Sequence, residues 1–294
     1  MKEHEFGKGV VRRNSLVKKL QKFSRRLKGH KIGKAVTPFD WATGFDVRNT
    51  IGSIQIKNQG QSFSCGGQVG AYFLEIQQRL RNQNEGAISA KSIYAPISYP
   101  GGGTTVTSLY TQIGAHGGNL ELTVPSYDAY GAPLPEYMMT DKSWHTITMD
   151  LDATKRAGYT PYDIAEDIET VAQTVQAHGA VFIEISGSNN GTWLSPTPLT
   201  IKFGDYWYHY MLVIGARQFG SEKKLIVLNS WGEKCGDNGV QYFGEEWFKT
   251  GRIIDAFTLI HDSQIIPIAS AKPIIWQALA MWFTSQWKLA QSLT

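Results

Sequence analysis

Cysteine is nearly absent, with two residues in 294, Cys65 and Cys235, and no CxxC pair. That scarcity excludes a disulfide framework, argues against a thiolate zinc site and fits a reducing compartment. Long apolar runs are lacking as well. The nearest to one, residues 273–283, is interrupted by Gln277 and falls well short of the ~20 residues a bilayer requires. The basic start is not followed by an apolar stretch and a small-residue cleavage site, so no secretory leader is read. Internal repeats and low-complexity tracts are also missing. The glycines at 101–103 lack the GK[ST] ending and the preceding apolar strand of a phosphate loop. Paired-carboxylate catalysis has no specific support, since the acidic stretch DIAEDIET reads as a solvated helix face.

The chain does have an apolar fraction of 42%, enough for a sizeable core. Its net charge of +4 conceals an asymmetry. Residues 1–34 hold twelve Lys/Arg against Glu3 and Glu5, and the rest of the chain holds 17 Lys/Arg against 23 Asp/Glu. The basic charge is therefore an N-terminal arm, which opens contact with an anionic membrane or nucleic acid. Within it, Asn14 or Ser15 can cap a helix carrying Leu16, Leu20, Phe23 and Leu27 on one face, with Gly29 at its end. At the other end, Trp276, Trp282 and Trp287 make residues 265–294 a Trp-rich extension suited to packing or to a membrane interface.

Between these termini the periodicity changes once. Residues 39–49 read as irregular entry chain. After Cys65, apolar residues at Val69, Tyr72, Phe73, Ile76 and Leu80 have helical spacing, which places Cys65 at a helix N-terminus. SYPGGGTTVTSLYTQ reads as a glycine loop feeding a short helix, and PYDIAEDIETVAQTVQAHG as a second helix ended by Gly179. Beyond it, AVFIEIS, YMLVIGARQ, KKLIVLNSW and VQYFG read as short strands of an antiparallel sheet or small barrel. The expected class is α+β.

A nucleophilic cysteine needs a group that lowers its pKa and donors for the developing oxyanion. A helix N-terminus favours the thiolate. Of seven histidines, His209 is distinctive because it opens the strand HYMLVIGA, and Asn229 follows at the end of KLIVL, where adjacent strands bring the two together. The amide of Asn229 can then orient the imidazole. Gln59, six residues before Cys65, can offer N–H donors beside the backbone N–H of Cys65.

The blocks KNQGQSFSC, HYMLVIGA and NSWGEKCGDNG, in the order Gln, Cys, His, Asn, resemble the signature of papain-like cysteine peptidases from about residue 40 to residue 261. The Cys–His gap, 144 residues, agrees with the ~130–150 of that family. The resemblance implies a helical lobe packed on an antiparallel barrel-like lobe over residues 39–264, with the active site in the cleft between, and residues 1–38 as an arm or prosegment-like extension. It implies Cys65 as nucleophile, His209 as general acid/base, Asn229 as its orienter, Gln59 as oxyanion donor and Trp231 as a shield over the Asn–His hydrogen bond. It further implies Gly102 and Gly103 as binders of substrate backbone. Thr104 and Thr105 would line a pocket for the second residue before the scissile bond, with Ile183 and Tyr210 as opposite walls. Tyr210 is large there, so modest apolar side chains are expected. The partner is a polypeptide, and neither metal nor organic cofactor is required. Two other readings stay open: a ligase or acyl transferase using the same thiol, and a silent papain-like binding module.

Three departures from the family pattern mark a divergent, microbial or viral-type member working in the cytoplasm or another reducing compartment, virion association included. Ser62 stands where the family has a bridged cysteine, and Gly66 where it has an aromatic. Cys235 stands where the family has a second tryptophan, and a packed structural thiol is expected there.

Overall fold

A computed structural model describes residues 30–34, 38–201 and 206–264. The basic helix read at 14–28 and the Trp-rich tail lie outside the described residues. The helices are α1 (Arg48–Ile51), α2 (Cys65–Leu80), α3 (Ala90–Ile97), α4 (Val106–Thr111), α5 (Glu136–Met139), α6 (Ile147–Thr154), α7 (Ile168–His178) and α8 (Glu246–Lys249). The strands are β1 (Lys31–Ile32), β2 (Phe45–Asp46), β3 (Tyr159–Ile164), β4 (Val181–Ser188), β5 (Tyr206–Phe219), β6 (Glu222–Leu228), β7 (Val240–Gly244) and β8 (Ile253–His261).

Helix α2 is the axis of the helical lobe. Every residue from Cys65 to Gln78 is buried, far more than one amphipathic stripe, so neighbours pack around it on all sides. Its glycines make that approach feasible: a Cβ at Gly67 would collide with the backbone of Ala90 at the start of α3. Helix α3 is capped by Ser89, whose hydroxyl accepts from the N–H of Ser92 at 3.0 Å. Helix α7 is capped by Asp167, accepting from the N–H of Thr170 at 2.8 Å, and ends at Gly179 with φ of 81°.

The strands form one sheet in the order β1-β3-β8-β4-β5-β6-β7, with β2 paired to β5. It curls into a half-barrel. Pairing is antiparallel throughout except between β1 and β3. One face carries Phe182, Tyr210, Leu212 and Phe257 against α2, in a core shared with Cys65, Val69 and Tyr72. The other carries Ile183, Met211 and Val213 against Val171 and Val175 of α7 and a group of tryptophans. This is the expected α+β division into a helical half and a β half.

Three sequence expectations need adjustment. The stretch read as one helix from PYDI onward is a strand, β3, followed by a helix starting only at Ile168, where the Asp167 cap sets the boundary. His209 lies inside β5, which starts at Tyr206. In the segment read as arm, the backbone of residues 31–32 pairs with Asp163 and Ile164 of β3.

Candidate active site

Cys65 is the first residue of α2, and it is fully buried. Neither cysteine is in a disulfide. The loop leading into it is held by Ser62: its hydroxyl donates to the carbonyl of Gln59 at 2.8 Å and meets the hydroxyl of Ser64 at 2.6 Å. Hydrogen bonds thus hold the position that a bridge would otherwise hold. Gly66 is matched to its surroundings, because a Cβ there would run into the side chain of Thr104.

Gln59 is fully buried with a fixed amide. Its Oε1 accepts from the hydroxyl of Ser230 at 2.7 Å, and its Nε2 donates to the carbonyl of Ser62 at 2.8 Å. The nitrogen end therefore faces the loop that carries Cys65, the orientation an oxyanion donor needs. Its backbone N–H donates to Ser230 O at 2.8 Å, tying this loop to the β lobe.

His209 and Asn229, also fully buried, meet as the sequence indicated: His209 Nε2 lies 2.9 Å from Asn229 Oδ1. The ring of Trp231 covers His209, with centroids 4.8 Å apart and planes tilted by 31°. Trp193 and Trp207 pack in turn on Trp231, at 6.0 and 5.9 Å. The amide of Asn229 also accepts from the Ser230 N–H at 2.7 Å, and its Nδ2 lies 3.5 Å from Cys235 Sγ. Cys235 is thus a buried thiol packed beneath Asn229, as expected of a structural cysteine. Trp231 also borders a cavity of about 550 Å³ with Asn58, Tyr127, Glu233 and Lys234.

The residues expected to bind substrate are placed differently. Gly102 N–H donates to Tyr99 O at 2.9 Å, Tyr99 N–H donates to Gly103 O at 3.0 Å, and Gly103 N–H donates to the Tyr94 hydroxyl at 2.7 Å. The glycine pair is therefore engaged within the protein and does not hold out its N–H groups to a substrate. Tyr94 donates onward to Glu136 Oε1 at 2.6 Å, while Glu136 Oε2 accepts from the N–H of Phe63 at 2.7 Å. Burial first, then the Glu136 carboxylate, pushes the Tyr94 phenol far above its usual range. One carboxylate thus joins the loop before Cys65 to the glycine loop.

Thr104 is buried against Gly66, and Thr105 caps α4, its hydroxyl accepting from Ser108 N–H at 3.2 Å. Both residues are buried. Ile183 is not opposite Tyr210. Strand register pairs Tyr210 with Glu184, and Ile183 faces the other side of the sheet. A strand's side chains alternate between faces, so an error of one residue moves the wall from apolar to acidic. Glu184 also pairs with Asp255 of β8, and both are almost wholly buried. The Tyr210 phenol is raised well above its usual range by burial, then by the charges of Glu184, Cys65 and Asp255. Sequence reasoning missed Tyr94, Glu136 and Glu184. Only Glu184 left a signal, as the acid within the apolar run VFIEI.

Among the described residues, no group of three or more His, Cys, Asp or Glu side chains is arranged to hold a metal ion, and no helix is long and apolar enough to cross a membrane. The sequence matches no protein-family model and no curated protein. Its three-dimensional likenesses are more informative. The structure is similar to xylellain, a cysteine protease from Xylella fastidiosa, with a TM-score of 0.65 at 15% identity over 87% of this chain and 97% of that one. It is similar to digestive procathepsin L2 from Tenebrio molitor larval midgut, with a TM-score of 0.62 at 17% identity over 87% of this chain and 78% of that one. It is also similar to the proform of Amb a 11, a ragweed pollen cysteine protease, with a TM-score of 0.58 at 21% identity, covering 82% and 73% of the two chains. At such identities the likeness bears on architecture, and the chain has the two-lobed papain-like fold.

Proposed function

We propose that the chain is a cysteine peptidase that hydrolyses peptide bonds through a thiol acyl-enzyme. The observation that carries this reading is the His209 Nε2–Asn229 Oδ1 contact of 2.9 Å under the ring of Trp231, in a fold whose helical lobe puts Cys65 at the head of its central helix. That helix terminus favours a thiolate, and His209, oriented by Asn229, acts as its partner acid. The thiolate attacks the scissile carbonyl, and the oxyanion is held by the Gln59 amide and the Cys65 N–H. His209 protonates the leaving amine, then takes a proton from the water that cleaves the thioester.

The test is labelling of the protein with a thiol-directed epoxide, alongside turnover of a general peptide substrate. Labelling at Cys65, with hydrolysis lost in Cys65→Ala and in His209→Ala while both variants stay folded, supports the reading. Turnover in Cys65→Ala sinks it, and absence of both labelling and turnover leaves a silent binding module. Product analysis with an added amine nucleophile separates hydrolysis from acyl transfer.

A further inference from the structure

We propose that Gln241 is a positioning residue, whose amide fixes the orientation of Asn229 and through it the proton-bearing nitrogen of His209. The inference rests on the peptidase reading and extends it to a residue on β7 that has no counterpart among the expected site residues. Gln241 is fully buried and, on the neighbouring strand β6, pairs with Val227, two residues before Asn229. Its Nε2 lies 2.6 Å from the carbonyl of Trp193 and 3.0 Å from that of Ser195. A carbonyl can only accept, so this end of the amide must be the NH2 group, with one hydrogen for each acceptor.

The remaining end, Oε1, lies 3.0 Å from Asn229 Nδ2. An acceptor there requires a donor, so the near end of the Asn229 amide is its NH2 group. Asn229 Oδ1 must then point toward the Ser230 N–H and His209 Nε2. Since Oδ1 only accepts, the neutral imidazole carries its hydrogen on Nε2, which leaves Nδ1 as the basic nitrogen. Two backbone carbonyls of the 193–195 loop thus dictate, through two successive amides, which imidazole nitrogen takes part in proton transfer. Flipping Asn229 would set NH2 against the Ser230 N–H and oxygen against oxygen at Gln241. Asn229, Ser230 and Gln241 are all fully buried, where such mismatches are most unfavourable.

The first measurement needs no change at Gln241. In Cys65→Ala, where no thiolate holds a second proton on the ring, the ¹⁵N spectrum of His209 above its pKa should show the Nε2–H tautomer. A predominant Nδ1–H tautomer overturns the proposal. This readout does not depend on turnover, so it stands apart from the test of peptidase activity. The second measurement is a cycle with Gln241→Met, which removes the amide at similar length. It should mix the two tautomers and lower kcat by about tenfold, and the loss should vanish in an Asn229→Ala background. Unchanged tautomers in a folded Gln241→Met, or an undiminished loss alongside Asn229→Ala, would show that Gln241 does not act through Asn229.

Discussion

Glu184 and Tyr210 stand directly opposite one another on β4 and β5, with Asp255 next in line on β8, so two carboxylates and a phenol share the sheet face that packs against the Cys65 helix. The expectation of a shallow apolar pocket placed Ile183 at this position. On the peptidase reading, Glu184 in that place would offer an arriving ammonium or guanidinium a carboxylate. A peptide library should therefore show a basic preference at the second position before the scissile bond. Glu184→Gln should lower the basic-to-apolar ratio of kcat/KM by about tenfold, the worth of one charge-assisted contact. An apolar profile that Glu184→Gln leaves unchanged would restore the original expectation.

His209 and Asn229 should differ in their effects. Removing the imidazole deletes proton transfer, so His209→Ala should lose about 10²–10⁴-fold in kcat. Asn229→Ala keeps the ring and releases only its orientation, a loss of about 10- to 100-fold. Steady-state kinetics on one peptide substrate decides the order, and equal losses would mean that Asn229 does more than orient.

A buried ion pair supports the Gln59 segment. Lys57 Nζ lies 2.7 Å from Glu75 Oε1, with side chains only 7% and 4% exposed, and the same carboxylate oxygen accepts from Ile88 N–H at 2.7 Å. Lys57→Met strands the carboxylate, and urea unfolding should show a loss of about 3–5 kcal/mol. Replacing both partners, as Lys57→Met with Glu75→Leu, should recover much of it. A single variant as stable as the parent would show the pair to be solvated in solution.

The basic arm can be cut at two places with different results. Deleting residues 1–29 removes ten of its twelve Lys/Arg while leaving β1, so salt-sensitive binding to anionic vesicles or nucleic acid should disappear and turnover of a small peptide should persist. Deleting residues 1–34 also removes the strand paired with β3 and should lower the melting temperature. A sharp rise in turnover after either cut would identify the arm as inhibitory.

The Cys65 helix was legible because its apolar spacing is strong, and His209 and Asn229 because turn residues delimit their strands. The Ile183 assignment went astray for a physical reason: all eight residues of β4 are buried, so its sequence has no alternation of polar and apolar residues to reveal which side chain faces which way. Helix α7 was drawn too long because the acids of DIAEDIET have a helix-compatible spacing, although Asp163 is buried in β3 and Asp167 is the cap. Strand β8 was overlooked although IIDAFTLIH is rich in β-branched and aromatic residues. Gln241 was hidden within VQYFG, where one polar residue in a strand reads as a solvent-facing position.

Two turns beyond Cys65, on the same face of α2, the hydroxyl of Tyr72 accepts from the Lys57 N–H at 2.6 Å and donates to the Asn229 carbonyl at 3.2 Å. The helix that presents the thiol thus also measures out the backbone on either side of it: one phenol fastens the segment leading to Gln59 and the strand end bearing Asn229. The two lobes are therefore stitched together behind the site, and native-state hydrogen exchange should find the amides of Lys57 and the α2 core opening in a single cooperative event.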